Sequence, residues 1–163
     1  MLISNELAAA MNAQIGHELG ASMQYLSIAA HFDREKLSLL AKLFYAQAAE
    51  ENEHALRFVH YITDTGGTLQ VPAIPAPKPA FASAEEAVEA ALNWEKEVTS
   101  QINRLMGLAA AENDYLAQNF LTWFVDEQLE EVMKMEQLLS VVRRAGERNL
   151  LMVEAYLVHL EAD

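Results

Sequence analysis

All four prolines of this 163-residue chain fall between Pro72 and Pro79. Each proline lacks a backbone N–H and restricts the residue before it, so this stretch cannot be helix. The chain on either side carries no such breaker. It is rich in Ala, Leu, Glu and Met, which are good helix formers. Two long helical halves joined by one extended linker follow, and the fold class is all-α.

Weaker signals divide each half. The first predicted helix runs from about Ser4 to Phe32 and ends at the polar break Asp33-Arg34-Glu35-Lys36. The second runs from about Leu37 to Thr65 and stops at Gly66-Gly67. Ser83 and Glu86 form a capping-box pattern at the start of the third, which ends near Glu112-Asn113-Asp114. The fourth runs from about Tyr115 to Ala145, with Arg143 and Arg144 at its negative end. Gly146 separates it from a short fifth helix, roughly Glu147 to Leu160. Each of the first four is about 45 Å long at a rise of 1.5 Å per residue. The breaks within each half only allow the chain to reverse. The linker from Gly66 to Ala82 can reach about 55 Å when extended. That spans the whole bundle, so the expected topology is two antiparallel hairpins joined by one long crossover, with the second helix parallel to the third. Residues 1–163 are read as a single domain.

The formal net charge is -13. Strong acidity argues against nucleic acid, which needs clustered Lys and Arg, and against anionic membranes. It suits the attraction of cations. There are no cysteines, which removes disulfides, iron–sulfur clusters and thiolate zinc sites. No stretch approaches about 18 uncharged apolar residues, so no membrane span is expected. The N-terminal residues lack a basic region followed by an apolar run, so no secretory leader is expected and the setting is read as cytoplasmic.

Alternating three- and four-residue steps mark the inward stripe of each helix. The first reads Leu7, Met11, Gln14, Glu18, Ala21, Tyr25, Ile28, Phe32. The second reads Leu40, Phe44, Gln47, Glu51, His54, Phe58, Tyr61, and the third Val88, Leu92, Glu95, Val98, Ile102, Leu105, Ala109. The fourth is read as Phe120, Phe124, Glu127, Glu131, Met135, Leu138, Val142. Every stripe is largely apolar and is interrupted by carboxylate near the middle of its helix. Midpoints of an up-down bundle share one height, so these carboxylates converge in the core. Buried together they repel one another and cost several kcal/mol each. No Lys or Arg on the stripes offsets that, whereas two divalent cations would. Glu51-x-x-His54 presents an oxygen and a nitrogen on one helix face. Such a mixed set suits iron or manganese better than calcium.

These residues resemble the ferritin family, specifically its bacterial non-haem members. The likeness spans the chain from Glu18 through the fifth helix. It is strongest in Ala49-Glu50-Glu51-Asn52-Glu53-His54, Tyr61-Ile62-Thr63-Asp64-Thr65-Gly66 and Trp123-Phe124-Val125-Asp126-Glu127-Gln128. It implies a ferritin-like four-helix bundle with one long crossover and a short C-terminal helix. It also implies an iron-storage protein with ferroxidase activity. In that resemblance Glu18, Glu51 and His54 hold a first iron, with Glu51 bridging the dinuclear iron centre. Glu95, with Glu131 or Gln128, forms the side of the second iron. Glu50, Glu127 and Glu130 resemble a third iron site. Tyr25 is either an electron donor or an aromatic that packs in the core and hydrogen-bonds a ligand. Fe(II) is oxidised by O2 or H2O2, and Fe(III) is stored as mineral in a homo-oligomeric cage of 24 subunits. Asn52 stands where a bacterioferritin would offer its haem-ligating methionine, so no haem is expected. Glu127-x-x-Glu130 replaces the second Glu-x-x-His of bacterioferritins. Mini-ferritins lack a fifth helix, so the apolar Leu150, Leu151, Val153, Tyr156, Leu157 and Leu160 favour the larger cage. The rival from another class is a metal-free helical interaction module, which would take up no iron.

Overall fold

The computed structural model describes residues 1–162. Five α-helices account for most of them: α1 (Asn5–Arg34), α2 (Ser38–Asp64), α3 (Ala84–Ala111), α4 (Tyr115–Ala145) and α5 (Leu150–Ala162). A 3₁₀ turn, Glu147–Asn149, precedes α5.

Polar side chains fix the helix ends. Ser4 Oγ accepts from Leu7 N at 3.0 Å and donates to Glu112 at 2.8 Å, so the cap of α1 is also tied to the end of α3. Asp114 accepts from Ala117 N at 2.9 Å and starts α4. Half of the expected capping box forms. Ser83 Oγ accepts from Glu86 N at 3.0 Å, but the Glu86 carboxylate turns to Ala82 N and the ammonium of Lys78 instead. Gly146, at φ +71°, ends α4 in a conformation that costs glycine nothing.

The linker settles the direction of the second hairpin. Asn12 on α1 meets Thr68 and Gln70, a Cβ on Gly16 would meet Pro72, Gln24 meets Lys78, and His31 packs edge-on to Phe81. The linker therefore climbs α1 from its start to its end. It delivers α3 antiparallel to α1 and hence parallel to α2, the expected one-crossover order. Gly16 is required here, because its Cβ would lie 2.4 Å from Pro72 Cγ.

The apolar core is divided in two. One cluster, around Tyr25, Phe32, Phe44 and Met135, fills the end near the fifth helix. The other, around Met11, Phe58, Ile102 and Phe124, fills the opposite end. Between them lies a layer of buried polar side chains from all four long helices: Gln14, Glu18, Gln47, Glu51, His54, Glu95, Gln128 and Glu131.

The stripes expected for α1, α2 and α3 are buried throughout. The stripe expected for α4 is corrected in its first half. The buried seam runs Ala117, Leu121, Phe124, Gln128, Glu131, Met135, leaving Phe120 and Glu127 half-buried. The reason is geometric. A four-residue step overshoots one turn by about 40°, so two consecutive four-residue steps back from Met135 leave Glu127 about 80° away from it and off the seam.

Candidate metal centre

Each carboxylate reaches the polar layer because an apolar helix face carries it there. Glu18 comes from α1, Glu51 and His54 from α2, Glu95 from α3 and Glu131 from α4. All five are at most 4% exposed. Their ligand atoms form two compact groups, Glu18–Glu51–His54 and Glu51–Glu95–Glu131, each within 4.8 Å. Glu51 belongs to both, so one carboxylate can touch cations on either side.

The hydrogen bonds are unevenly distributed. Gln14 Nε2 donates to Glu18 Oε1 at 2.9 Å, leaving Oε2 without a donor. Glu51 has no hydrogen bond at either oxygen, and His54 Nδ1 has none either. Nδ1 lies 3.3 Å from Glu51 Oε2 and 3.9 Å from Glu18 Oε2. Among the described residues five buried side-chain atoms lack a partner, and four belong to these three residues. Buried polar atoms are nearly always satisfied, so such a concentration marks a place built for something else.

The other two carboxylates are held. Tyr25, fully buried, donates a short hydrogen bond to Glu95 Oε1. Gln128 Nε2 donates to Glu95 Oε2 at 3.1 Å and is shared with Thr99 Oγ1 and the Glu95 carbonyl. Gln47 Nε2 donates to Glu131 Oε2 at 2.7 Å. Gln128 thus orients Glu95, and Glu131 completes the second group. His54 is walled off by aromatics, with Trp123 and Phe124 edge-on at 5.4 and 6.0 Å. The Arg57 guanidinium lies 3.7 Å over the Trp123 ring.

The electrostatics match this crowding. Burial, then the charge of Glu51, pushes the carboxyl of Glu18 well above the usual range. Burial, then the charge of Glu95, does the same to Glu51. Burial pushes Glu131 up to about 7, with the Lys134 ammonium opposing and the Glu95 charge adding to the rise. The Tyr25 phenol is raised by burial and by Glu95, so it keeps its proton and donates it. A divalent cation reverses the logic, because it favours the charged form of every carboxylate it touches.

A third group, Glu50–Glu127–Glu131, lies beside the first two. Glu50 is exposed, and Glu127 Oε1 is 4.0 Å from His54 Nε2. Glu130, expected in this group, is exposed and belongs to none of the three. No Lys or Arg lies on the stripes, but one cationic side chain reaches the carboxylates from beside them. Lys134 lies off the α4 stripe, yet its ammonium is 3.7 Å from Glu131 Oε1 and 3.6 Å from Glu50 Oε2. Gln14, Gln47 and Lys134 carried no assigned role in the sequence. The signal available there was their i, i+3 or i, i+4 spacing to Glu18, Glu51 and Glu131.

Comparisons with known proteins give the family. Residues 8–145 match the model of a ferritin-like domain. The chain is 41% identical over 138 residues to the ferritin BfrB of Mycobacterium tuberculosis, covering 85% of this chain and 76% of that one. It is 36% identical over 146 residues to a bacterial non-heme ferritin of Staphylococcus aureus, covering 90% and 88%. The crystal structure of an open pore ferritin from the hyperthermophilic archaeon Archaeoglobus fulgidus matches with a TM-score of 0.92 at 32% identity, covering 96% of each chain. The chain belongs to the ferritin family.

Proposed function

We propose that this chain is a ferroxidase of the bacterial non-haem type, which oxidises Fe(II) at a dinuclear site and stores the Fe(III) as mineral. Iron storage with iron oxidation is the task of its family. The finer reading rests on one observation: carboxylates from four helices and one imidazole converge in a dry layer, with four of their atoms unsatisfied. Iron is the substrate here. Glu18, Glu51 and His54 would hold one Fe(II), and Glu51, Glu95 and Glu131 the other. Each iron gives up one electron. The two electrons and two protons reduce O2 to H2O2, or H2O2 to water.

The protein's own contribution is placement and charge. Five side chains from four helices are held at one height before any ion arrives, which spares the ordering entropy. Gln14 and Gln47 each fix one oxygen of Glu18 and Glu131, and Tyr25 and Gln128 fix the two oxygens of Glu95, so the carboxylates are oriented before an ion binds. Tyr25 stands against Glu95, where it can supply a proton or an electron. Glu50, Glu127 and Glu131 form the adjoining third site, through which product leaves the buried pair. Asn52 is exposed on α2 and offers no sulfur, which supports the reading without haem.

A store also needs a container. Four apolar side chains of α5 are largely exposed on a single chain: Leu151 (75%), Met152 (66%), Val158 (55%) and Leu160 (49%). Contact with other copies would cover them, in keeping with the multi-subunit cages of the family, and a shell of 24 is part of this reading. A cytoplasmic setting belongs to it as well. Among the described residues no helix is long and apolar enough to cross a membrane.

Aerobic addition of Fe(II), followed by near-ultraviolet absorbance, tests the oxidation. The initial rate is expected to fall at least about tenfold in Glu51→Ala and His54→Ala, the lower end of what disturbing even the partners of metal ligands costs. Equal rates in all three proteins would remove the ferroxidase assignment.

A further inference from the structure

Lys134 is the one ammonium on the described chain set among the carboxylates of the third group. It follows Glu131 by three residues on α4, so the helix itself delivers it. Its Nζ donates to Gln47 Oε1 at 2.6 Å, while Gln47 Nε2 donates to Glu131 Oε2 at 2.7 Å. The same Nζ lies 3.6 Å from Glu50 Oε2 and 3.7 Å from Glu131 Oε1. One glutamine therefore aligns the ammonium and the carboxylate it faces. The lysine side chain is 41% exposed, so it can swing out to solvent.

We propose that Lys134 is a tethered counter-cation that competes with metal for the Glu50–Glu127–Glu131 group, keeping that site a weak place of transit. This rests on the reading that the buried pair oxidises iron and that the third group adjoins its exit. While Lys134 is in place, an arriving divalent cation meets two carboxylates that already have a positive neighbour. It must displace the ammonium to use them fully. Of the buried groups, Glu18–Glu51–His54 has no such competitor, and Glu51–Glu95–Glu131 meets it at Glu131 alone. Lys134 is thus a positioning residue: it touches no substrate, and it sets how long an ion rests beside the centre.

Redox-inert Zn(II) is the probe. Crystals of the assembled protein are soaked at a Zn(II) level that half-fills the buried groups, and anomalous density gives occupancy at each group separately. In the unaltered protein the third group is expected to stay nearly unfilled. Lys134→Met should tighten it by about tenfold or more, since a full positive charge is removed within a few ångströms of a divalent ion. Lys134→Gln serves as a second neutral variant, and Lys134→Arg should restore the weak site. Size-exclusion chromatography shows that each variant still assembles. Equal third-group occupancy in the unaltered protein and both neutral variants would overturn the inference while leaving the ferroxidase reading intact. Equal filling by Lys134→Arg and Lys134→Met would also overturn it, because the charge would then be irrelevant. No Zn(II) at the buried groups in any variant would bring down both.

Discussion

His54 Nδ1 lies 3.3 Å from Glu51 Oε2, and neither atom has a hydrogen bond among the described residues. The two sit buried one helical turn apart on α2, and the imidazole lies edge-on to Trp123 and Phe124. A pairing made for stability would share a proton and satisfy both atoms. Both are instead left available, which is what a shared cation needs.

The first consequence is a trade of stability for function. Glu51 is buried among like charges with no donor, so the metal-free protein bears the cost. Glu51→Gln, close in shape and neutral, is expected to make the metal-free protein more stable at neutral pH by about 1 kcal/mol or more, the free energy of a carboxyl pKa raised by one unit. Zn(II) should raise the melting temperature of the unaltered protein and have much less effect on the variant. Thermal denaturation with and without Zn(II) checks both. A variant less stable than the parent without metal would contradict the account.

The pH dependence follows from Glu131, whose carboxyl is pushed up to about 7, with Glu18 and Glu51 raised as well. The folded metal-free protein then holds more protons than the unfolded chain between the ordinary carboxylate range and about 7. Its stability is fullest at the acid end of that window and is lost as pH rises through it. Metal affinity runs the other way, because protons compete for the same oxygens. Melting temperatures of metal-free protein should therefore fall from pH 5.5 to 8, while Zn(II) binding by calorimetry strengthens. Parallel trends would be inconsistent with the burial described.

Much of this was legible in the chain. The proline cluster and the glycine pair gave the crossover, because backbone constraints act locally. The stripes of α1, α2 and α3 were readable because each keeps a regular seam from end to end. The α4 seam was less so. Glu127 and Gln128 are neighbours, and only packing decides which of them turns inward. Lys134 was hidden for a different reason. A flexible four-carbon side chain can rise beside a seam it does not belong to, so its position on the helix wheel says little about where its charge ends up. The Gln14–Glu18 hydrogen bond follows an i, i+4 spacing, but those of Gln47 to Glu131 and Lys134 depend on which helices neighbour which, and no spacing along the sequence encodes that.

The crossover can be tested at Gly16. A methyl group there would lie 2.4 Å from Pro72 Cγ, so Gly16→Ala must push the linker off α1. A loss of about 1–3 kcal/mol is expected, as for overpacking elsewhere. Chemical denaturation measures it, and Gly16→Ala combined with Pro72→Ala should recover part of the loss. No change in the single variant would mean that the linker does not lie where it is described.

The fifth helix can be removed separately. Glu154 on α5 accepts from Leu39 N at 2.9 Å at the start of α2, so the helix is docked rather than loose. A chain ending at Gly146 should keep its helical bundle by circular dichroism and lose the cage by size-exclusion chromatography. A full-sized cage without α5 would show that other surfaces hold it together.

The most direct measurement is a crystal of the metal-loaded protein, soaked anaerobically in a ferrous salt and recorded at the iron edge. The account requires two ions in the buried layer, one among Glu18, Glu51 and His54 and one among Glu51, Glu95 and Glu131, with Glu51 touching both. Density showing these side chains turned apart, with no ion between them, would contradict it.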